Sequence, residues 1–103
     1  MAGVYRVDKF DVPDESRDEF WASVRRTHAV LREQPGFLDD VLLEKYSGSG
    51  RFNVVTIVRW SSADALASAG AVVRGHHRAA EFRPAEFLVR AGIDSDLANY
   101  REA

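Results

Sequence analysis

The sequence predicts an α+β protein with a ferredoxin-like βαββαβ order, in which a four-stranded antiparallel sheet carries its helices on one face. Three observations support this order. Residues 52–58 are rich in β-branched side chains and end at Arg59-Trp60, directly before a helix-start pattern. Residues 16–19, Ser-Arg-Asp-Glu, form a capping box after an earlier strand pattern. Residues 47–50, Ser-Gly-Ser-Gly, indicate a hairpin loop between two strand patterns.

The first strand is predicted over residues 4–10, and Pro13 follows it. The first helix begins at Ser16 and ends near residues 34–36, Gln-Pro-Gly, where proline cannot continue a helix and glycine supplies the turn. At about 100° per residue, its inward side is a stripe with two flanking side chains. The stripe is Phe20, Val24, Thr27 and Leu31, and the flanking residues are Trp21 and His28.

The second and third strands are predicted over residues 37–46 and 51–60, paired as an antiparallel hairpin. Ser61 is expected to begin a helix over residues 62–69, because Asp64 follows it at capping-box spacing. Residues 70 and 75 are glycines that should interrupt it. Residues 76–91 are predicted as two helical pieces broken before Pro84, a helical insert that Gly92 ends. The last strand is predicted over residues 97–101.

Both faces of the sheet are expected to be covered. In the third strand the even positions are mostly apolar, yet the odd positions include Val55 and Ile57. A sheet with one wet face shows a cleaner alternation of apolar and polar residues. Since the helices can cover only one face, we expect the other face to pack on a second copy of the chain, as a two-fold homodimer.

Length and composition narrow the classes of function. The 103 residues correspond to one domain, residues 1–103, without cysteine, which excludes thiolate metal sites and thiol catalysis. The net charge of −2 is spread along the chain, so neither nucleic acid nor a membrane surface is an expected partner. No apolar run reaches the roughly 20 residues of a membrane span, and no signal-peptide pattern is present. We therefore expect a soluble cytoplasmic protein.

Several short motifs together resemble the antibiotic biosynthesis monooxygenase domain family, whose members are dimeric α+β barrels. The resemblance extends over roughly residues 4–101. Its two most specific parts are the Pro-Gly turn and the strand-to-helix junction that follows the third strand. The matching segments are Val-Pro at 12–13, Phe20, Gln-Pro-Gly-Phe at 34–37, Gly-Arg-Phe at 50–52, Val-Arg-Trp-Ser-Ser-Ala-Asp-Ala at 58–65 and Ala-Asn-Tyr at 98–100.

The resemblance implies a cofactor-independent monooxygenase that oxidises an aromatic, polyketide- or quinol-like small molecule with dioxygen, using no metal, flavin or haem of its own. In such members the deprotonated substrate reduces dioxygen, so the protein holds a flat molecule, removes a proton and stabilises the anion. Trp60 matches the strand-end tryptophan of the family. Thr56 stands where the polyketide-oxidising members of the family share an asparagine, so this chain departs from their pattern at that position.

Two residues are the predicted catalytic groups, Trp60 as a stacking or N–H donor wall and His28 as a base on the inward flank of the first helix. The predicted substrate-binding residues are Trp21, Phe52, Thr56, Leu66, His77 and Arg83. His76 and His77 point about 100° apart, so at most one should face a pocket. No metal site is expected.

Two alternatives to oxygenation stay open. One is a non-catalytic module of the same fold that binds a small molecule, which the departure at Thr56 favours. The other is a haem-degrading or isomerase member of the superfamily. The haem-degrading branch resembles this chain less, because it carries a tryptophan in the second helix where residues 66–71 have none.

Overall fold

A computed structural model describes residues 3–103. In this part of the chain a short 3₁₀ turn, Asp14–Ser16, precedes the first helix. The strands and helices, in chain order, are β1 (Val4–Asp11), α1 (Arg17–Leu31), β2 (Phe37–Glu44), β3 (Val54–Trp60), α2 (Ala63–Ala79), α3 (Pro84–Arg90) and β4 (Asp94–Arg101). The four strands form one antiparallel sheet in the order β2-β3-β1-β4, which confirms the predicted ferredoxin-like fold.

The register of the sheet decides which side chains face the helices. In the central pair, Val4 lies opposite Trp60 and Phe10 lies opposite Val54. Residues directly opposite each other project to the same face. Because Phe10, Val54 and Trp60 are buried against the helices, the even-numbered residues of β1 and β3 form the inner face of the sheet. The odd-numbered residues of these two strands form the outer face.

A β-bulge shifts the edge strand β2. The register slips between Phe37, which lies opposite Trp60, and Asp39, which lies opposite Arg59. One extra residue on one strand reverses the facing of everything beyond it. The bulge therefore brings both Phe37 and Asp40 to the inner face.

The interior consists of two apolar clusters on the inner face. The larger one includes Phe10, Phe20 and Phe87, with the rings of Phe10 and Phe20 in edge contact at 4.9 Å. The smaller one surrounds Trp60, whose indole meets Phe37 edge-on at 5.8 Å. Between these clusters the sheet and the helices are less tightly filled, and the cleft described below lies there.

The structure corrects the predicted start of both long helices. The Ser16 side chain does not cap α1; its hydroxyl donates to the Ala91 carbonyl at 2.9 Å, so packing against the α3 end replaces the capping box. In α2 the cap is Ser62, not Ser61, because the Ser62 hydroxyl accepts from the Ala65 N–H at 3.1 Å.

The predicted interruption of α2 is wrong. The helix continues through Gly70 and Gly75 to Ala79. A glycine inside a helix costs only about 1 kcal/mol relative to alanine, and packing of one helix face overrides this. Here Ala69 is fully buried against the Trp60 cluster, which holds the helix across the glycine beside it. The insert α3 and its end at Gly92, with φ 71°, agree with the prediction.

The strand ends also differ from the prediction. β2 ends at Glu44 and β3 begins at Val54, so both are shorter than predicted. Just before β3, the Asn53 side chain holds the segment that follows β1: it accepts from the Val12 N–H and donates to the Val12 carbonyl, each at 2.9 Å. β4 is longer, since Asp94 already pairs with Asp11. Within residues 3–103, no helix combines the length and the apolar character needed to cross a membrane.

Candidate active-site cleft

A cleft lies between the inner face of the sheet and the three helices, and it consists of two adjoining chambers. The first chamber, of about 260 Å³, lies at the Phe10 end, and the second, of about 290 Å³, lies at the Trp60 end. Both volumes are close to the lower limit of about 300 Å³ for small-molecule sites. The two chambers are continuous, because they share the lining residues Arg6, Asp8, Thr27, Val73, His77 and Pro84.

The first chamber has mostly apolar and aromatic walls. Its aromatic side chains come from three directions: Phe10 from β1, Phe20 from α1 and Phe87 from α3. Phe82, in the turn between α2 and α3, closes the same wall and contacts both Phe87 and His77 with ring centroids 5.7 and 5.2 Å apart. Such walls suit a flat, apolar ligand, because aromatic faces and edges stack on one another.

His28 is the ionisable group that α1 places in the wall of the first chamber. It is 5% exposed, and its Nδ1 lies 2.9 Å from Asp40 Oδ2 on β2. Burial acts to raise the pKa of Asp40, but hydrogen bonds from His28 and Arg32 outweigh that effect and hold this pKa below its ordinary value. Asp40 is therefore ionised at neutral pH, and Nδ1 of His28 carries the proton that it donates to the carboxylate.

This pairing fixes the tautomer of His28. With Nδ1 engaged by Asp40, Nε2 is the nitrogen that offers a lone pair to a ligand. Asp40 is in turn held by Arg32, whose Nε donates to the same carboxylate oxygen at 3.0 Å. A carboxylate-oriented imidazole in an apolar cavity has the arrangement of a general base.

A second polar pair, Arg6 and Asp8, projects from β1 into both chambers. Arg6 Nε donates to Asp8 Oδ1 at 2.6 Å, and Arg6 Nη1 reaches Asn99 of β4 at 3.5 Å. Burial raises the pKa of Asp8, and the hydrogen bond from Arg6 opposes that rise only in part. These are charged groups on the inner face of a sheet, where burial is costly unless the charges are paired.

The second chamber is built around Trp60. The indole is 2% exposed and forms the floor with Val58, while Leu31 of α1 and Leu66 of α2 form the walls. His77 reaches both chambers from α2, and burial, followed by the charge of neighbouring His76, lowers its pKa. His77 is therefore neutral at neutral pH. His76 lines neither chamber; it borders a separate cavity of about 260 Å³, together with Val73.

The structure brings five of the eight predicted site residues to the cleft. His28, Thr56 and His77 line the first chamber. Trp60, Leu66 and His77 line the second.

Trp21, Phe52 and Arg83 lie outside both chambers. Trp21 packs in the larger core cluster, edge-on to Phe20 at 5.6 Å. Phe52 precedes β3, in the loop where the alternation of the strand has not begun, and Arg51 stacks on it at 5.2 Å. Arg83 is exposed and pairs with Glu86 at 3.4 Å.

Three groups of the site were not identified from the sequence: Arg6, Asp8 and Asp40. Arg6 and Asp8 could have been found from the alternation of the strand. Both occupy even positions between Val4 and Phe10, so they share a face with these apolar residues. Asp40 offered no such signal, since its facing depends on the bulge after Phe37. Only the folded register places its carboxylate beside His28.

Comparison with known proteins agrees with the fold. A sequence model of the family described as antibiotic biosynthesis monooxygenase matches residues 3–83. No protein of curated function matches the chain in sequence. Among solved structures, the chain is similar to SnoaB, a cofactor-independent oxygenase from Streptomyces nogalater, with 25% identity and a TM-score of 0.68 over 100% of this chain and 95% of that chain.

Two further solved structures support the fold alone. The heme-degrading protein of Mycobacterium tuberculosis is 22% identical, with a TM-score of 0.58, over 97% of this chain and 90% of that chain. A conserved protein from Methanosarcina mazei Go1 is 17% identical, with a TM-score of 0.75, over 100% of this chain and 95% of that chain. One fold therefore accompanies different chemistries, so the site residues have to decide between them.

Proposed function

This chain belongs to the antibiotic biosynthesis monooxygenase family, and on that premise we propose that it is a cofactor-independent monooxygenase that oxidises an aromatic, polyketide- or quinol-like small molecule with dioxygen. The observation that carries the proposal is the pair His28–Asp40, an oriented base in the wall of an aromatic cleft. Similarity to SnoaB, a cofactor-independent oxygenase, supports the same reaction class.

Proton removal is the first step, and His28 is the group we assign to it. In an anthrone, the methylene carbon lies between two aromatic rings that also flank a carbonyl. This carbon is acidic, because its carbanion delocalises through the rings onto the carbonyl oxygen. Nε2 of His28 takes this proton, and the carboxylate of Asp40 stabilises the imidazolium that forms. The guanidinium of Arg6, which projects from β1 into both chambers, can balance the developing oxyanion.

The substrate itself then supplies the electrons. The carbanion passes one electron to dioxygen, and the resulting radical and superoxide join to form a C–O bond. The peroxide takes the proton back from His28, and loss of the second C–H proton breaks the O–O bond and releases water. For an anthrone the sum is CH₂ plus O₂ giving C=O plus H₂O, and for a hydroquinone it is C₆H₆O₂ plus O₂ giving the hydroxyquinone C₆H₄O₃ plus H₂O. In each case the substrate loses four electrons and dioxygen accepts four, so no other reductant is needed.

Trp60 is proposed to hold the ring system. Its indole is fixed by Phe37 and by the small residue Ala69, which leaves one side of the second chamber as a flat aromatic wall. Stacking of an aromatic ligand on such a wall contributes about 0.5–1.5 kcal/mol beyond the burial of apolar area. Thr56 and Leu66 complete the surface between the two chambers.

We also propose that the protein acts as a homodimer through the outer face of its sheet. That face carries aliphatic side chains, and two of them, Val41 and Leu43 on the edge strand β2, are 43% and 44% exposed. Their neighbours across the strand are Ile57 and Val55. A contiguous apolar patch of this kind is typical of an interface.

A second candidate function is that of a small-molecule-binding module without chemistry. The observation that favours it is Thr56, a buried residue of the first chamber. It stands at the position where the polyketide-oxidising members of the family share an asparagine. Threonine offers a hydroxyl where those members offer an amide, so one donor to the substrate anion differs.

Oxygen uptake distinguishes the two functions. We expect anthrone or hydroquinone substrates to draw oxygen with the wild type, and His28→Gln to lower kcat about 10²- to 10⁴-fold. His76→Gln is the matched control, because it removes a histidine that lines neither chamber. Trp60→Phe should raise KM more than it lowers kcat, since it keeps an aromatic wall and removes the indole N–H.

Two results would reject the proposal. Oxygen uptake that is unchanged in both His28→Gln and Trp60→Phe would show that the assigned site is wrong. Absence of uptake with the whole panel, while hydrophobic dyes bind and are displaced by the aromatics, would favour the binding module. Titration with haemin tests the haem-degrading alternative, which predicts a shifted Soret band.

A further inference from the structure

The second chamber contains more positive than negative charge, although the whole chain carries a net charge of −2. Four ionisable side chains line it: Arg6, Asp8, Arg74 and His77. Because burial lowers the pKa of His77, that ring is neutral at neutral pH. The guanidinium groups of Arg6 and of the solvent-exposed Arg74 therefore stand against one carboxylate in the lining of a chamber whose remaining walls, apart from Thr27, are apolar.

Arg74 has no acidic partner among residues 3–103 of the structure. Its guanidinium lies over Gly70, one turn earlier in α2: a Cβ added at residue 70 would come within 3.3 Å of Arg74 Nη1. The glycine therefore leaves room for the guanidinium beside the chamber. This close approach also gives a local reason for a glycine in the middle of a helix, a position that glycine otherwise weakens.

Arg6 retains hydrogen-bond donors for a ligand. A guanidinium offers five N–H groups, and Asp8 engages only the one on Nε, at 2.6 Å. The Nη1 contact with Asn99, at 3.5 Å, is at the limit of hydrogen bonding. The terminal nitrogens of Arg6 are thus available to planar oxygen pairs, the geometry that arginine recognises best.

We propose that the substrate carries a carboxylate, which the second chamber binds between Arg6 and Arg74. The aromatic rings then lie against Trp60 and extend toward His28 in the first chamber. This inference rests on the proposed function only for the identity of the cleft as the substrate site. It makes the two arginines specificity-determining residues: the acidic group fixes which end of the ring system reaches the base. A neutral analogue of the same shape would lose this anchor.

Binding of a matched pair of probes tests the proposal. The probes are 2-naphthoate and 2-naphthamide, which have the same ring system and nearly the same shape and differ in charge. Neither has an acidic methylene, so affinity is measured by calorimetry without turnover. We expect the wild type to bind the naphthoate at least about tenfold more tightly than the naphthamide, because charge-assisted hydrogen bonds are roughly twice as strong as neutral ones.

The variants locate the preference. Arg74→Gln should reduce it to about threefold or less, and Arg6→Gln should reduce it as well, while affinity for the naphthamide stays within about twofold in Arg74→Gln. Arg78→Gln is the matched control: it removes the same charge from the same helix, but Arg78 lines an outer groove and neither chamber. It should retain the wild-type preference.

Two outcomes would overturn the inference. One is equal affinity of the wild type for both probes. The other is an equal loss of preference in Arg74→Gln and Arg78→Gln, which would show a long-range effect of net charge instead of a site. The probes are unreactive, so this test does not depend on turnover. If the protein prefers naphthoate but takes up no oxygen with the aromatic substrates, the carboxylate site is supported and only the proposed monooxygenase activity is rejected.

Discussion

The two faces of the sheet differ in opposite ways from the usual pattern of an apolar interior and a polar surface. The inner face, under the helices, carries charged groups among its aromatic residues, with Arg6, Asp8 and Asp40 all projecting inward. The outer face carries aliphatic residues that remain partly exposed, with Val41 at 43%. Charge lies where a core should be apolar, and apolar surface lies where a monomer would be polar.

The buried charges of the inner face and the exposed aliphatic residues of the outer face each indicate a functional surface. Buried charges are costly unless paired, so a strand that retains two of them on its inner face supports a polar site. Exposed aliphatic residues are normal singly, but as a contiguous patch they indicate a surface that another molecule covers. Substitutions on the inner and outer faces test these two interpretations.

Trp60→Ala should give the largest effect, because it removes the main apolar anchor of the inner face at the second chamber. We expect the free energy of unfolding to fall by about 3–5 kcal/mol, the usual cost of removing a large buried aromatic side chain. Urea denaturation at pH 7 measures it. Ile57→Ala, on the outer face, should cost less in the monomer. A loss below about 1 kcal/mol in Trp60→Ala would mean that the cleft collapses around the gap.

Val41→Lys should weaken self-association without unfolding the chain. A charge among the aliphatic residues of the outer face has to be desolvated in the dimer, and we expect the dissociation constant to rise at least about tenfold. Sedimentation velocity across micromolar concentrations measures it. Val89→Lys is the control, since Val89 is 82% exposed on α3, away from the sheet. Equal weakening in both variants would contradict an interface on the outer face.

Much of the fold could be predicted from the sequence, because the strongest signals are local. The β-branched run before Trp60 and the inward stripe of α1 depend on the periodicity of single elements, and both appear where expected. The boundaries were less accurate. Gly70 and Gly75 were expected to interrupt α2, but burial of Ala69 outweighed their low helix propensity.

The site was only partly predictable, because its polar partners come from different strands. His28 could be identified from its place on the helix, but its partner Asp40 depends on a bulge that no pattern in the sequence indicates. Arg6 and Asp8 were missed because charged residues in a strand are typical of a solvated face. The sequence indicated their position only through alternation, since both residues share a strand face with Val4 and Phe10.

Asp40→Asn tests the inner pair that we assign to catalysis. Hydrogen bonds from His28 and Arg32 overcome burial and lower the pKa of Asp40, so its charge stabilises the folded state. The variant should lose about 1–3 kcal/mol at pH 7. Because the pKa of Asp40 is lower in the folded state, the wild type is more stable than the variant at high pH. This difference in stability is complete above pH 3.8, the ordinary pKa, and disappears as the pH falls through the lower pKa of the folded state.

The same variant should also affect the reaction. Without the carboxylate, the tautomer of His28 is no longer fixed, and we expect kcat to fall more than KM changes. Asp39→Asn is the matched control, because Asp39 is the adjacent residue on the outer face and pairs with Arg59 there at 2.8 Å. Equal loss of kcat in both variants would contradict a positioning role for Asp40.

Asp8→Asn should have the smallest effect on stability and the opposite sign. Burial raises the pKa of Asp8 above its ordinary value of 3.8, and the hydrogen bond from Arg6 does not compensate, so ionising this carboxyl costs stability in the folded state. Asparagine removes that cost. The stability of the variant relative to the wild type should therefore rise as the pH increases from below 3.8 through the raised folded pKa, and then remain constant.

Urea denaturation between pH 3 and pH 7 measures both inner carboxylates on one scale. Relative to the wild type, Asp40→Asn should lose stability as the pH rises, whereas Asp8→Asn should gain it. Opposite slopes would show that one carboxylate on the inner face is fully compensated by its partners and that the other is retained at a cost.

Because natural selection removes costs that bring no benefit, a gain in Asp8→Asn accompanied by lost naphthoate preference would assign Asp8 the task of positioning Arg6. If Asp8→Asn instead destabilised the protein at every pH, the pair would be structural, and the inner face would contain a single functional dyad.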